Sequence, residues 1–333
     1  MEKINFFSIK NFETINLIYC AGFVKKKTSQ FPKILEKPLI KSNKNGIVAF
    51  KSGMRSAILF HDNKYYRIKG CGMENDGFVY ETYLPNMIDS NGIRKKRLRG
   101  CQFLENCEKE IEVSKKLGNV FKKKNLFFPN FPLGYWVYET NFDEDPCASL
   151  YETYGEIRLN DDFLYLLESR LDQNPSFFGG LLKLYYKIGQ HVGFIKKTIN
   201  EAGYLWGTFF GDKDMIFHSN SHINNIIVAK IGDTLTLGPT DFDLAYLPGD
   251  LDTKEFEQKV LDENLVLEAS IKGWEVFDPL LKLYKNFKSD KLNNDKLNNM
   301  RIKLRNKLFK GFKKGFKEKP DEIKFSEIKK FFY

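Results

Sequence analysis

The change of hydrophobic period near Gly155 constrains this chain of 333 residues more than any other feature. Ahead of it lie short apolar runs bounded by turn residues, the pattern of strands. Beyond it, apolar residues recur every three or four positions, the pattern of helices with one buried face. Gly46-Ile-Val-Ala-Phe50 and Ser56-Ala-Ile-Leu-Phe60 are joined by Lys51-Ser-Gly-Met-Arg55, and His61-Asp-Asn-Lys64 leads into Tyr65-Tyr-Arg-Ile-Lys69. That order predicts a three-stranded antiparallel meander. A helix over about Gln102 to Leu117 follows, with Phe103, Cys107, Ile111 and Ser114 on one stripe and Gly118 as its stop. Phe131–Tyr138 and Ala148–Glu152 read as two more strands around the acidic turn Asp143–Pro146.

After the switch, Leu181, Leu184, Ile188, Val192, Ile195 and Ile199 place one long buried helix over Phe178–Ala202, stopped by Gly203. Met215–Phe217, Asn225–Ala229 and Thr234–Leu237 read as short strands, and the remainder as helices. The expected class is therefore α+β, with two lobes. Residues 1–154 form a five-stranded antiparallel lobe with one helix, and residues 155–333 a mainly helical lobe.

Charge is distributed unevenly. From Leu281 to Tyr333 there are 17 Lys and Arg against 6 Asp and Glu, a balance of +11, whereas the whole chain is +10. The basicity thus belongs to the tail, with one further run at Arg94–Arg99. It predicts either an anionic partner, RNA or an acidic membrane surface, or a plain solvated helix face. In that tail Leu297, Met300, Leu304, Leu308, Phe312 and Phe316 follow helical spacing, Gly311 and Gly315 weaken it, and Pro320 precedes a last helix over Asp321–Phe332. Packing on the helical lobe is the expectation, with the basic face left for a polyanion. Five cysteines, with no C-x-x-C pair, argue against a disulfide scaffold and a zinc site. No apolar stretch reaches the roughly 20 residues of a membrane span, and no signal peptide is visible, so a cytoplasmic protein is expected.

Chemistry concentrates in His218-Ser-Asn-Ser-His-Ile-Asn-Asn-Ile-Ile-Val228 and, after the next strand, Asp241-Phe-Asp243. An amide at the start of an apolar strand and a carboxylate after the following one are suitable hard oxygen ligands for Mg²⁺. The segment resembles the catalytic and metal loops of the protein-kinase-like fold in its aminoglycoside-phosphotransferase style, H-G-D-x-H-x-x-N followed by D-F-D. His218, His222, Asn225, Asp241 and Asp243 match as they stand. The resemblance spans about residues 45 to 250 and implies ATP and Mg²⁺ as cofactors.

It implies further roles in chain order. Lys69 would hold the nucleotide α- and β-phosphates, with Glu110 as its ion-pair partner and Glu112 as second choice. The turn carrying Gly53 and Arg55 would cover the phosphates, and Leu150–Gly155, with Glu152, would form the hinge against the adenine edge. Asn225 and Asp241 would hold metal, and Asp243 would be a second ligand or a base. His218 reads as a structural brace, His191 as a satisfied core histidine and His61 as solvated.

One departure matters. Where the family carries its catalytic aspartate, this chain has Asn220, and an amide takes no proton near neutral pH. Three readings stay open. His222, Asp243 or Asp214 supplies the base, or none is needed, and a phosphoryl group is transferred. Or an adenylyl group moves from a flipped nucleotide, similar to the selenoprotein-O-type pseudokinases, whose loop nevertheless has an acidic residue where Asn224 stands. Or the chain is a pseudokinase scaffold that binds nucleotide without chemistry. The pseudokinase is the competing class to a transferase, and a nucleic-acid-binding module, using the basic tail on RNA, is a third.

Overall fold

A computed structural model describes residues 13–20, 23–28, 31–73, 78–81, 97–139, 145–210, 217–272 and 295–332. The chain divides into two compact units, one comprising the described residues of Phe7–Asn119 and Pro129–Glu156, the other those of Val120–Phe128 and Ile157–Tyr333.

The first unit is built on an antiparallel sheet. Its strands are β1 (Thr14–Tyr19), β2 (Phe23–Thr28), β3 (Leu39–Ser42), β4 (Ile47–Lys51), β5 (Ser56–His61) and β6 (Lys64–Lys69); β7 (Val79–Glu81) and β8 (Arg97–Arg99) pair apart from it. After β9 (Gln102–Phe103) come α1 (Leu104–Lys123), β10 (Asn130–Tyr138) and β11 (Pro146–Thr153). The sheet order is β2-β10-β11-β6-β5-β4-β1-β3, with β9 on one end of β11. All five expected strands are present, and β1, β2, β3 and β9 extend their sheet. Asp62 and Asn63, both at positive φ, make the two-residue turn between β5 and β6. One core gathers Leu59, Tyr66, Ile68, Trp136, Tyr138 and Leu150 among others; a second sets Cys107 and Ile111 of α1 against Tyr135, Val137 and Cys147.

The helix α1 does not stop at Gly118. Leu117 and Phe121 are both fully buried, so continued packing outweighs the roughly 1 kcal/mol that a helical glycine costs. Its end is Asn125, at φ 54, from which the chain closes back with Leu126 N–H donating to the Phe121 carbonyl at 2.8 Å.

The second unit contains α2 (Tyr165–Gln173), α3 (Phe178–Glu201), β12 (Thr208–Phe210), β13 (Phe217–Ser219), β14 (Ile226–Ile231), β15 (Thr234–Pro239), α4 (Thr253–Ile271), α5 (Asp295–Gly315), β16 (Ile323–Lys324) and α6 (Phe325–Ile328). The expected strand Met215–Phe217 lies mostly outside the described residues, as do Asp214, the acidic turn before Pro146 except for Asp145 itself, and Arg94–Lys96 of the basic run. The last helix is much shorter than its expected span. Ile323 pairs with Leu235, and the Asp233 carboxylate accepts from Ser326 N–H and Oγ–H, so the chain after Pro320 is drawn into a strand before it turns.

The basic tail helix packs through its glycines. A Cβ on Gly189 of α3 would sit 2.0 Å from the Leu308 carbonyl oxygen, and one on Gly193 2.1 Å from that of Phe312. Reciprocally, a Cβ on Gly311 would meet the Tyr186 carbonyl at 2.1 Å, and one on Gly315 that of Gln190 at 2.1 Å. Paired G-x-x-x-G faces bring the two helix backbones into contact, as in close small-residue crossings. Gly311 and Gly315, expected to weaken this helix, are what docks it. Leu304, Leu308 and Phe312 are buried, while Lys303, Lys310, Lys313 and Lys317 remain exposed. No helix among the described residues is long and apolar enough to cross a membrane.

Gly189→Ala should lower the melting temperature by several degrees, since overpacking costs about 1–3 kcal/mol and exceeds the gain in helix propensity. Gly179→Ala, where nothing lies within 4 Å of the new methyl, should raise it. Thermal unfolding of the two variants checks both signs.

Candidate functional site

In the first unit, β6 ends at Lys69, which lies opposite Ser56 and Ser149. Its Nζ is 2.8 Å from Glu110 Oε2, and the two side chains are 3% and 4% exposed. Gln102 Nε2 donates to the same Glu110 oxygen at 2.7 Å, and Ser149 Oγ donates to Gln102 Oε1. Of the three glutamates in the run Glu108–Glu112 of α1, the geometry singles out Glu110. Glu108 accepts from the Tyr135 hydroxyl, which burial and this carboxylate together hold well above its ordinary pKa. Glu112 pairs with exposed Lys116 one turn on.

The turn between β4 and β5 is closed by Ser52 N–H on the Ser56 carbonyl, with Gly53 at φ +67. Lys41, 2% exposed, holds it from β3: its ammonium donates to the Met54 carbonyl at 2.6 Å and the Gly53 carbonyl at 3.3 Å. Arg55 is turned toward the body of the unit, with Nη1 donating to the Cys101 carbonyl at 3.3 Å.

Glu152 faces away from Lys69. It lies opposite Tyr66, three residues along β6 from Lys69, so alternation puts the two on opposite sheet faces, and its carboxylate takes Lys64 at 2.9 Å. Leu150–Thr153 are paired on both sides, by β6 and β10, so their backbone groups are committed to the sheet; the expected hinge is left with Tyr154 and Gly155.

In the second unit, β13 carries His218 by its backbone, paired with Phe209; its side chain lies outside the description. The next residues form a hydrogen-bonded loop. Asn220 N–H donates to the Gly207 carbonyl at 2.9 Å, and Asn220 Nδ2 donates to Asp243 Oδ1 at 2.7 Å. Asn225, 4% exposed, donates from Nδ2 to the Asn220 carbonyl at 3.0 Å, while its Oδ1 accepts from Arg158 Nη1 at 3.1 Å. Asn224 and Asp161 exchange two hydrogen bonds, at 2.7 and 3.2 Å.

Asp241 sits at φ +68, in the left-handed region that few residues other than glycine occupy. Such strain persists only where the surroundings enforce it. Here Phe242, 1% exposed, stacks between Phe128 and Trp206, with centroids 6.1 and 5.9 Å away. Trp206 Nε1 also donates to the Thr240 carbonyl at 2.8 Å. One buried ring thus fixes the segment and leaves a carboxylate on each side of it. Burial lowers the His222 pKa to about 4, reinforced by Arg158 and opposed by Asp241, so its imidazole is neutral at pH 7.

The sequence reading missed the groups that hold this loop. Lys196 and Glu263 form a wholly buried ion pair, and Glu263 Oε1 accepts from Gly207 N–H at 2.6 Å. A lysine between Val192 and Ile199 on the apolar stripe of α3 was the available signal. For Arg158 and Gln102 no local pattern exists. His191 Nε2 lies 2.9 Å from the Asp321 carbonyl, and half-buried His61 lies 3.2 Å from Asp62. All five cysteines are free thiols, four of them buried.

No protein-family model matches the sequence, and no curated protein matches it. Among solved structures, the chain overlays WaaP in complex with acyl carrier protein at 11% identity and a TM-score of 0.33, covering 78% of this chain and 88% of that one. It overlays a glucosamine kinase in complex with glucosamine, ADP and inorganic phosphate at 9% identity and TM-score 0.35, covering 89% and 83%. A third overlay is the Rio2 kinase–ADP/Mg²⁺-phosphoaspartate complex from Chaetomium thermophilum, at 12% identity and TM-score 0.26, covering 93% and 73%.

Lys69→Ala should destabilise the protein by about 3–5 kcal/mol, because it strands a buried carboxylate, whereas Lys69→Met with Glu110→Leu should recover most of that loss. Denaturant titration of the three proteins distinguishes these outcomes. Folding lowers the His222 pKa from its ordinary 6.5, so the folded chain binds less proton than the unfolded one between pH 6.5 and 4. The contribution of His222 to stability is accordingly complete above pH 6.5 and falls as pH drops through that window. Its ring resonances should titrate with a midpoint near 4 in an NMR pH series.

Proposed function

We propose that this chain is a kinase-like, ATP- and Mg²⁺-dependent transferase that moves a phosphoryl or adenylyl group to an acceptor. The observation that carries the reading is the buried Lys69–Glu110 pair, with Gln102 donating to the same carboxylate oxygen. A buried ion pair is a weak source of stability, so its value here lies in presenting a fixed ammonium to the oxygens of a nucleotide phosphate. The carboxylates of Asp241 and Asp243 form the donor set that suits a hard divalent cation. Mg²⁺, when bound, would neutralise phosphate charge; Asp241 would hold it, with Asp243 as its partner ligand.

Asn220 does not act as the base. By donating to Asp243 Oδ1 it orients that carboxylate within the loop, and transfer would rest on positioning and charge neutralisation rather than on a base. His222, neutral at pH 7 and 3.4 Å from Asn225 Nδ2, braces the loop from the other side. Gly53 and its turn, held by Lys41, would lie over the phosphates; Arg55 and Glu152 have roles in holding the sheet instead. The exposed lysines of α5 give the molecule a basic face for an anionic partner such as RNA.

Asn220 also favours a second reading, a pseudokinase that binds nucleotide and acts as a scaffold or switch. ATP labelled separately at the α- and γ-phosphates decides between them. Incubated with Mg²⁺, label should pass from the γ-position for phosphoryl transfer or from the α-position for adenylyl transfer. Consumption of neither, across hydroxyl acceptors of several classes, would support the scaffold. Asp241→Ala should weaken Mg²⁺-dependent nucleotide binding more than about tenfold, some 1.4 kcal/mol, without loss of fold. Unchanged affinity in that variant would remove Asp241 from the site.

A further inference from the structure

Resting on that proposed function, the loop geometry raises the question of what Asn225 does. We propose that Arg158 stands in for a second cation: its guanidinium occupies the Asn225 amide oxygen, so the metal loop takes one divalent cation, on Asp241 and Asp243, rather than two.

The orientation of the Asn225 amide is fixed from both ends. Its Nδ2 donates to the Asn220 carbonyl at 3.0 Å, so Oδ1 must point at Arg158 Nη1, 3.1 Å away. The flipped amide would set N–H against guanidinium and oxygen against carbonyl, losing both bonds. A cation seeking that oxygen would therefore have to displace an arginine or bind beside it.

Displacement is opposed by how Arg158 is held. Its N–H donates to Asp162 Oδ2 at 2.8 Å, and its carbonyl accepts Phe163 N–H at 3.0 Å, an i to i+5 bond that opens the wide helical turn Leu159–Leu164. Such turns recur at functional sites. Its backbone bridges antiparallel to Ile227, directly after Asn225 and Ile226, and the neighbouring Ile157 carbonyl accepts Val228 N–H at 2.9 Å. Nη1 also donates to the Asn224 carbonyl at 3.1 Å, while the Asn224 side chain is locked to Asp161. The guanidinium and its acceptor are thus carried on two segments stitched together just beyond Asn225, at Ile227 and Val228.

Binding beside it is opposed by charge. Asn225 is 4% exposed, and two like charges on one amide oxygen repel strongly where water cannot screen them. A lysine there could lose its proton and yield; an arginine cannot. Arg158 then supplies a permanent positive charge on the Asn225 side of the loop.

The test counts Mn²⁺, by electron paramagnetic resonance, bound to the full chain with ADP present. One Mn²⁺ per chain is expected. Asn225→Ala should keep that ion with affinity within about twofold, whereas Asp241→Ala should lose it. Arg158→Met, which removes the donor and the charge but keeps the length, should admit a second Mn²⁺ or tighten binding at least about fivefold. Two Mn²⁺ on the unaltered chain, or a loss above about tenfold in Asn225→Ala, would overturn the proposal. Melting temperatures of Arg158→Met, Asn225→Ala and the double variant test the contact without metal: a combined shift well short of the sum supports it, and a full sum contradicts it. Retention of Mn²⁺ in Asp241→Ala is a distinct result, which would sink the metal assignment in the proposed function and this proposal with it.

Discussion

The Lys196–Glu263 pair is wholly buried, and neither charge could stay in the interior without the other. Lys196 comes from the C-terminal third of α3 and Glu263 from α4, so the pair fixes two helices at one point. It also reaches the loop. The second oxygen of Glu263 takes Gly207 N–H, and the Gly207 carbonyl takes Asn220 N–H. Gly207 is needed there: at φ +112, a Cβ would lie 2.4 Å from the Leu244 carbonyl oxygen. One desolvated ion pair therefore sets the height of the backbone at which Asn220 projects. Burial lowers the Lys196 pKa while Glu263 works against that shift, which is the electrostatic form of the same dependence.

Each unit uses a buried lysine in its own way. In the first, Lys69 is held by Glu110 at a strand end, and Lys41 satisfies two turn carbonyls. In the second, Lys196 is spent on structure, and Arg158 is a cation held at the polar loop. A lysine facing a buried carboxylate cannot be traded for a neutral donor, because removing either partner leaves a charge with no solvent. Lys69 and Lys196 both carry that cost.

What could be read from the sequence follows from how local each signal is. The meander from β4 to β6, the strands β10 and β11, and α3 each announce themselves within a dozen or two residues, by alternation or by helical period. Lys69 and Glu110 were reachable because chain order set a strand end before a helix carrying Glu108, Glu110 and Glu112. The choice among those glutamates needed only helical phase: Glu110 shares the inward side of α1 with Cys107 and Ile111. Arg158 was not reachable, since its acceptor lies 67 residues away and nothing near Gly155 announces it. The docking role of Gly311 and Gly315 was hidden for a related reason. Propensity counts a helical glycine as a cost, and only the facing Gly189 and Gly193 turn that cost into close approach.

Asn220 looks like a lost catalytic aspartate when the sequence is read alone, yet its surroundings are built for an amide. It uses three groups at once: its N–H on Gly207, its carbonyl for Asn225 and His222 N–H, and its side-chain N–H₂ on Asp243. An aspartate could keep the first two bonds but not the third. Its carboxylate would face Asp243 at hydrogen-bond distance, and two carboxylates so placed cannot both stay ionised; one must hold a proton well above its ordinary pKa. The amide therefore keeps Asp243 as the single negative partner in that pair and aims it through a directional N–H donor. The loop does not need an aspartate at position 220 to position a carboxylate, because Asn220 positions the one at 243.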